Sequence, residues 1–122
     1  MAEPFGRART ARATGELIET LVPYFALSTL MLLLTQRGHT WISLALSVPA
    51  AAFLVRTFII FHDCCHGSFF RSQRANDLLG GLIGVLTLTP YAYWRKTHAL
   101  HHATSGNLEH RGFGDIDTLT VS

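Results

Sequence analysis

Apolar residues along this chain gather into blocks instead of alternating with polar ones. From Leu17 to Thr35 the sequence is almost wholly apolar, and Trp41 opens a second run that continues through Phe61. A helix rises 1.5 Å per residue, so about 20 apolar residues cross the ~30 Å hydrocarbon layer of a bilayer. Both runs are of that order. The short stretch Arg37 to Thr40 between them reads as a tight polar turn. The pattern predicts a helical hairpin over residues 17–61, with both ends on one side of a membrane. Arg56 is the one charge inside the second run. It lies about 7–8 Å from the exit at Phe61, near enough for its guanidinium to snorkel to the interface. A third apolar stretch, Leu78 to Pro90, is too short to span and contains Gly80, Gly81 and Gly84. It predicts a re-entrant or interfacial segment, closed at head-group level by Tyr91, Tyr93 and Trp94.

The flanks are polar. Met1 to Gly15 carries Arg7, Arg9 and Arg12 among small residues and reads as a flexible basic tail, while Ser105 to Ser122 reads as loop. Arg71, Arg74, Arg95 and Lys96 fall on the same side of the hairpin as that tail, against Arg37 alone in the turn. The positive-inside rule then places residues 1–16 as a basic cytoplasmic tail and residues 62–122 as a cytoplasmic or interfacial region. Gln36-Arg37-Gly38-His39 makes a poor cleavage site, which favours a membrane anchor over a cleaved signal peptide. The fold class expected is an all-α integral membrane protein.

A formal charge of +2 with no basic stripe argues against a nucleic-acid partner. Cys64 and Cys65 are the only cysteines and are adjacent, so they offer no disulfide framework and fit a reducing compartment. They read as small helix packers. Cys65 is one turn from His62, which leaves a thiolate contact to metal open.

Histidine changes the picture more than charge does. Of seven in 122 residues, five fall in two clusters, His62-Asp-Cys-Cys-His66 and His98-Ala-Leu-His101-His102. Residues three and four apart share a helix face, so His62 pairs with His66, and His98 with His101 and His102. Imidazole groups so placed can close on zinc, copper, iron or nickel. Both clusters begin just past apolar segments that could bring them together. His39 and His110 match neither spacing and read as solvated. A zinc protease is one reading, since His62-Asp63-x-x-His66 is similar to His-Glu-x-x-His. That reading needs Asp63 to replace a longer glutamate base, and it leaves His98, His101 and His102 idle. A non-haem iron centre uses all five. Set beside a bilayer, it could act on an unactivated methylene of a lipid chain, with the metal supplying the hard chemistry.

These residues resemble a known family. His62-Asp-Cys-Cys-His-Gly-Ser-Phe-Phe70 and Pro90-Tyr-Ala-Tyr-Trp-Arg-Lys-Thr-His-Ala-Leu-His-His102 look like the first and second histidine boxes of membrane fatty acid desaturases. The continuation, Ala103-Thr-Ser-Gly-Asn-Leu-Glu109, looks like the acyl-lipid, omega-6 type branch. The resemblance runs from about Phe61 to Asp117. It implies oxygen-dependent insertion of a double bond into a fatty acyl chain of a membrane lipid at a di-iron centre. It further implies electrons from a ferredoxin- or cytochrome b5-type donor, with His62, His66, His98, His101 and His102 as iron ligands. Asp63 would orient one imidazole through its other nitrogen, and Trp94 and Arg95 would be interface anchors.

The family pattern includes a third His-x-x-His-His box, and nothing after His102 supplies it. The chain therefore reads as the amino-terminal part of a desaturase, inactive in isolation. A related histidine-box hydroxylase is the enzymatic rival, and a non-catalytic metal-binding membrane protein is the rival from another class.

Overall fold

The computed structural model describes residues 10–105, and these form four helices: α1 Thr10–Gln36, α2 Thr40–Cys65, α3 Gln73–Leu86 and α4 Tyr91–Thr104. The tail before Thr10, the loop from residue 106 onward and His110 lie outside the described residues. Both α1 and α2 are long and apolar enough to cross a membrane.

The first helix starts earlier than the hydrophobic pattern alone predicts. The flexible-tail expectation is corrected for residues 10–15, which are helical. Two bonds of one-turn spacing hold this polar first stretch. Arg12 Nε meets Glu16 Oε1 at 2.9 Å, and Thr14 Oγ1 donates to the Thr10 carbonyl at 2.9 Å. Ala13 is buried in the same apolar cluster as Ile60 and Phe61, so packing from α2 reaches this turn as well.

The turn between the long helices is built by Gly38, whose φ of +82° suits a residue without a Cβ. His39 then precedes α2 and is exposed. Small residues recur at heptad spacing where the two helices face each other. Ser43, Ala50 and Thr57 are buried on α2, and Ala13 and Thr20 on α1. Small side chains let apolar helices approach closely, which matters where lipid removes the usual hydrophobic drive. The buried hydroxyls are satisfied. Thr20 and Thr57 bond carbonyls one turn back, at 2.6 and 2.8 Å, while Ser43 Oγ donates to the Met31 carbonyl of α1 at 3.1 Å. Arg56 lies 3.9 Å from the Glu19 carboxylate across the same interface, both side chains being well exposed. At that distance and exposure the pair contributes little, and the arrangement remains compatible with snorkelling.

Gly67, at φ +69°, turns the chain out of α2 after His66. Ser72 then caps α3, accepting from the Ala75 N–H at 3.4 Å. The third apolar stretch, too short to span, lies mostly in a regular helix that begins at Gln73 and ends at Leu86, with its glycines inside it. Asn76, Gly80, Ile83 and Gly84 form its buried face, whereas Leu78, Leu82 and Val85 stand exposed on another. The physical reason is close approach. A Cβ on Gly80 would overlap the ring of Tyr91, so the missing side chain is the space into which α4 fits.

Candidate metal centre

α2 ends in His62 and, just past its last turn, His66; α4 carries His98 and His102 one turn apart. Aromatic packing joins the two helices. Phe61 is fully buried and meets the rings of Tyr91 and Trp94 at 5.7 and 5.2 Å. Trp94 also meets Phe58 edge-on at 5.7 Å and stacks on His98, centroids 4.2 Å apart and planes 20° from parallel. Trp94 and Arg95, expected as interface anchors, also have partners within the fold: Trp94 stacks on His98, and Arg95 pairs with Asp77.

Four imidazoles converge. His98 Nε2 lies 3.0 Å from His62 Nε2, 3.1 Å from His66 Nε2 and 3.0 Å from His102 Nε2, and His62 and His66 close the triangle at 3.3 Å. One ligand atom from each of the four lies within 4.8 Å of every other. His101 is outside this group. Its ring lies nearly parallel to that of His98 with centroids 6.2 Å apart, and 5.9 Å from that of His102. Cys64 and Cys65 are buried in the apolar cluster with Ile60, Phe61 and Phe69 and do not join the four nitrogens.

These separations match the donor set of a metal. Adjacent ligands held at about 2.1 Å from one ion stand about 3.0 Å apart in an octahedral site and about 3.4 Å apart in a tetrahedral one. Hydrogen bonding is a poorer account of the triangle. Each Nε2 offers either one proton or one lone pair, so three mutually close nitrogens can make only one bond among them. A cation satisfies all three lone pairs at once. His62 presents its other nitrogen, Nδ1, to Asp63 Oδ1 at 3.5 Å, a long contact in the direction that leaves Nε2 facing the cluster.

Electrostatics keep the nitrogens bare. Burial first, and then the neighbouring imidazoles His62, His102, His66 and His101, push the pKa of His98 down to about 4. Burial and the rings of His62 and His102 lower that of His66 too, against a small opposing pull from Asp63. Neutral imidazole is the ligating form. The sign for stability follows from the same shift. An unfolded histidine takes a proton near pH 6.5, whereas folded His98 refuses it until about pH 4. The unfolded chain thus binds more protons across that window, and stability falls on acidification through it, levelling off below. Metal-free protein in lipid nanodiscs should lose thermal stability progressively between those limits, with an NMR titration midpoint for His98 near 4. A His98 midpoint above 6 would contradict the packing described.

A polar cluster that the sequence reading missed sits beside the histidines. Asp77 Oδ1 accepts bonds from Arg95 at 2.8 Å, from the Tyr91 hydroxyl at 2.9 Å and from Gln73 Nε2 at 2.9 Å. The bonds from Gln73 and Tyr91, with Arg95 beside them, hold its carboxyl below the usual carboxylate range. Burial and the bond to Asp77 push the Tyr91 phenol up, so it remains a donor. The available signal was an Asn-Asp pair one turn into a glycine-rich apolar helix.

The family model described as fatty acid desaturase matches residues 39–121. A fatty acid desaturase of Bacillus subtilis (strain 168) is 50% identical over 118 residues, covering 97% of this chain and 33% of its own length. An sn-1 acyl-lipid omega-3 desaturase (ferredoxin) of Synechocystis is 44% identical over 52 residues, 43% of this chain and 14% of the relative. An endoplasmic reticulum omega-3 fatty acid desaturase of Nicotiana tabacum matches to the same extent. The chain thus spans about a third of the Bacillus relative, and the two relatives named here that match over 52 residues bear omega-3 names. No solved structure matches. With the family model matching well over half of its residues, this chain belongs to the fatty acid desaturase family.

Proposed function

We propose that the protein is, or is the amino-terminal part of, an integral membrane enzyme that inserts a double bond into a fatty acyl chain. The observation that carries this reading is the convergence of four imidazole nitrogens from two helices in a chain of this family. His62, His66, His98 and His102 would hold metal through Nε2, and His101 would serve a second ion beside the first. When bound, a di-iron centre supplies the oxygen-dependent oxidising power that an unactivated methylene requires.

The remaining work belongs to the chain. His66 and His98 stay neutral and keep their lone pairs available. Asp63 Oδ1, 3.5 Å from His62 Nδ1, supports the tautomer that leaves Nε2 free. Trp94 covers one face of His98 and excludes water there. An apolar groove lined by Tyr24, Leu54, Phe58, Leu86 and Leu88 gives an acyl chain a lateral seat, and Phe58 places it one ring from Trp94. A membrane lipid is the substrate class proposed, with electrons from a ferredoxin- or cytochrome b5-type donor; three of the relatives are themselves named as ferredoxin enzymes. Both histidine clusters would lie at one membrane face, and the arginine asymmetry supports the cytoplasmic one.

The test is expression of the complete protein in a desaturase-free background, with lipid analysis by mass and Mössbauer spectroscopy of the purified material. Acyl chains lighter by two hydrogens, with stoichiometric iron, are expected. His66→Ala and His101→Ala should lose both product and iron. Chains heavier by one oxygen would instead identify a hydroxylase, and activity supported by stoichiometric zinc would falsify the iron assignment.

A further inference from the structure

Four residues of α4 lie on one stripe: Tyr91, Arg95, His98 and His102, at successive spacings of four, three and four. The first two make no use of the histidine cluster. Both are held instead by one oxygen of Asp77, with Arg95 donating at 2.8 Å and the Tyr91 hydroxyl at 2.9 Å. The same hydroxyl lies 3.0 Å from the Cys64 carbonyl of α2, midway between His62 and His66. The neighbouring residue, Asn76, is fully buried and grips the other side. Its Oδ1 accepts from the Phe70 N–H at 2.7 Å, and its Nδ2 donates to the Phe70 carbonyl at 2.9 Å. Phe70 belongs to the segment that leaves His66.

From this geometry we infer that Asp77, seconded by Asn76, is the positioning residue of the metal centre. It fixes the rotation of α4 so that His98 and His102, and not His101, face His62 and His66. The inference rests on the metal reading above and adds to it a residue that touches no metal. The physical need is plain. The Nε2 atoms of His62, His66 and His98 lie 3.0–3.3 Å from one another, and that of His102 lies 3.0 Å from His98, yet each offers only one proton or one lone pair, so hydrogen bonds within the cluster cannot by themselves hold the four rings together. Something outside the cluster must hold α4 in register before metal arrives. A carboxylate taking a guanidinium and a phenol from the same stripe does so with charge-assisted bonds, which are stronger and more directional than neutral ones. The Tyr91 ring, seated against Gly80, fixes the height of α4 along α3.

The experiment titrates the complete protein in lipid nanodiscs with cobalt(II), whose visible absorption reports ligand number and geometry independently of any activity. Asp77→Asn should raise the cobalt dissociation constant by about 10–100-fold, the usual cost of losing a partner that orients ligands, and should alter the cobalt spectrum. Far-UV circular dichroism should stay helical. Arg95→Gln should do the same, and the double variant should be little worse than either alone, because both remove one interaction. Tyr91→Phe keeps the ring that fills the space over Gly80 and loses only the hydroxyl. It tests the assignment even if Asp77→Asn does not fold, and should weaken cobalt in the same direction. Arg12→Gln, which breaks a surface pair elsewhere, should leave binding unchanged. A wild-type protein that takes no cobalt overturns the metal reading and this assignment together. Wild-type binding that the Arg95→Gln and Tyr91→Phe variants match in affinity and spectrum overturns the assignment alone.

Discussion

Replacing His98 by alanine is expected to weaken metal binding more than any other single change in the chain. Its Nε2 is the one nitrogen within 3.1 Å of all three others, so its loss removes both a ligand and the link through which the other three are joined most closely. Losing a partner that merely orients a ligand costs about 10–100-fold in affinity; losing this ligand should cost more than about 100-fold. Chelator competition with iron(II) or cobalt(II) on protein in nanodiscs measures it directly. His39→Ala, at the exposed turn, should bind as wild type does. A His98→Ala protein whose affinity stays within threefold of wild type would remove His98 from the ligand set.

The largest loss of stability should come from Phe61→Ala. Phe61 has no exposed surface and touches the rings of Phe58, Tyr91 and Trp94, so it is the shared wall of α2 and α4. Truncating a buried phenylalanine removes its transfer energy and leaves a cavity, together about 3–5 kcal/mol. Reversible unfolding in mixed detergent micelles gives that figure. Metal binding should fall as well, because Trp94 loses the surface that presses it onto His98. A change below ~1 kcal/mol would mean that lipid, not protein, surrounds the ring.

Much of this arrangement was legible beforehand, and the reason is locality. The length of an apolar run sets the length of a helix, so the two long helices and the turn at Gly38 could be read directly. Spacing of three and four residues fixes which side chains share a helix face, so the pairing of His62 with His66 and of His98 with His102 could be read directly. What spacing leaves open is the rotation of α4 about its own axis. His98 lies one turn from both His101 and His102, and either could face α2. The choice falls to His102 through Tyr91 and Arg95 bonding to Asp77, contacts between residues 14 and 18 positions apart. Trp94 poses a similar question. An aromatic at the end of an apolar segment suits the head-group level and a helix interface equally well, and the contact with Phe61 is what adds the second role. Glycine lowers helix propensity, and Gly80 and Gly84 both lie in the third apolar stretch. Tertiary contact with the start of α4 overrides that local preference, and the helix runs through.

The single stripe of α4 makes its length between Tyr91 and His102 intolerant of insertion. One residue added between Arg95 and His98 would leave Asp77 holding its partners while both histidines swung by about 100° and moved about 1.5 Å along the axis. Substitutions on the outer faces of α4 meet no such constraint, and the turn at Gly38, open to solvent space on its Cβ side, can absorb extra residues. Among descendants of this chain, the count of residues from Tyr91 to His102 should therefore stay fixed while their identities drift, and changes in length should collect at the far turn of the hairpin.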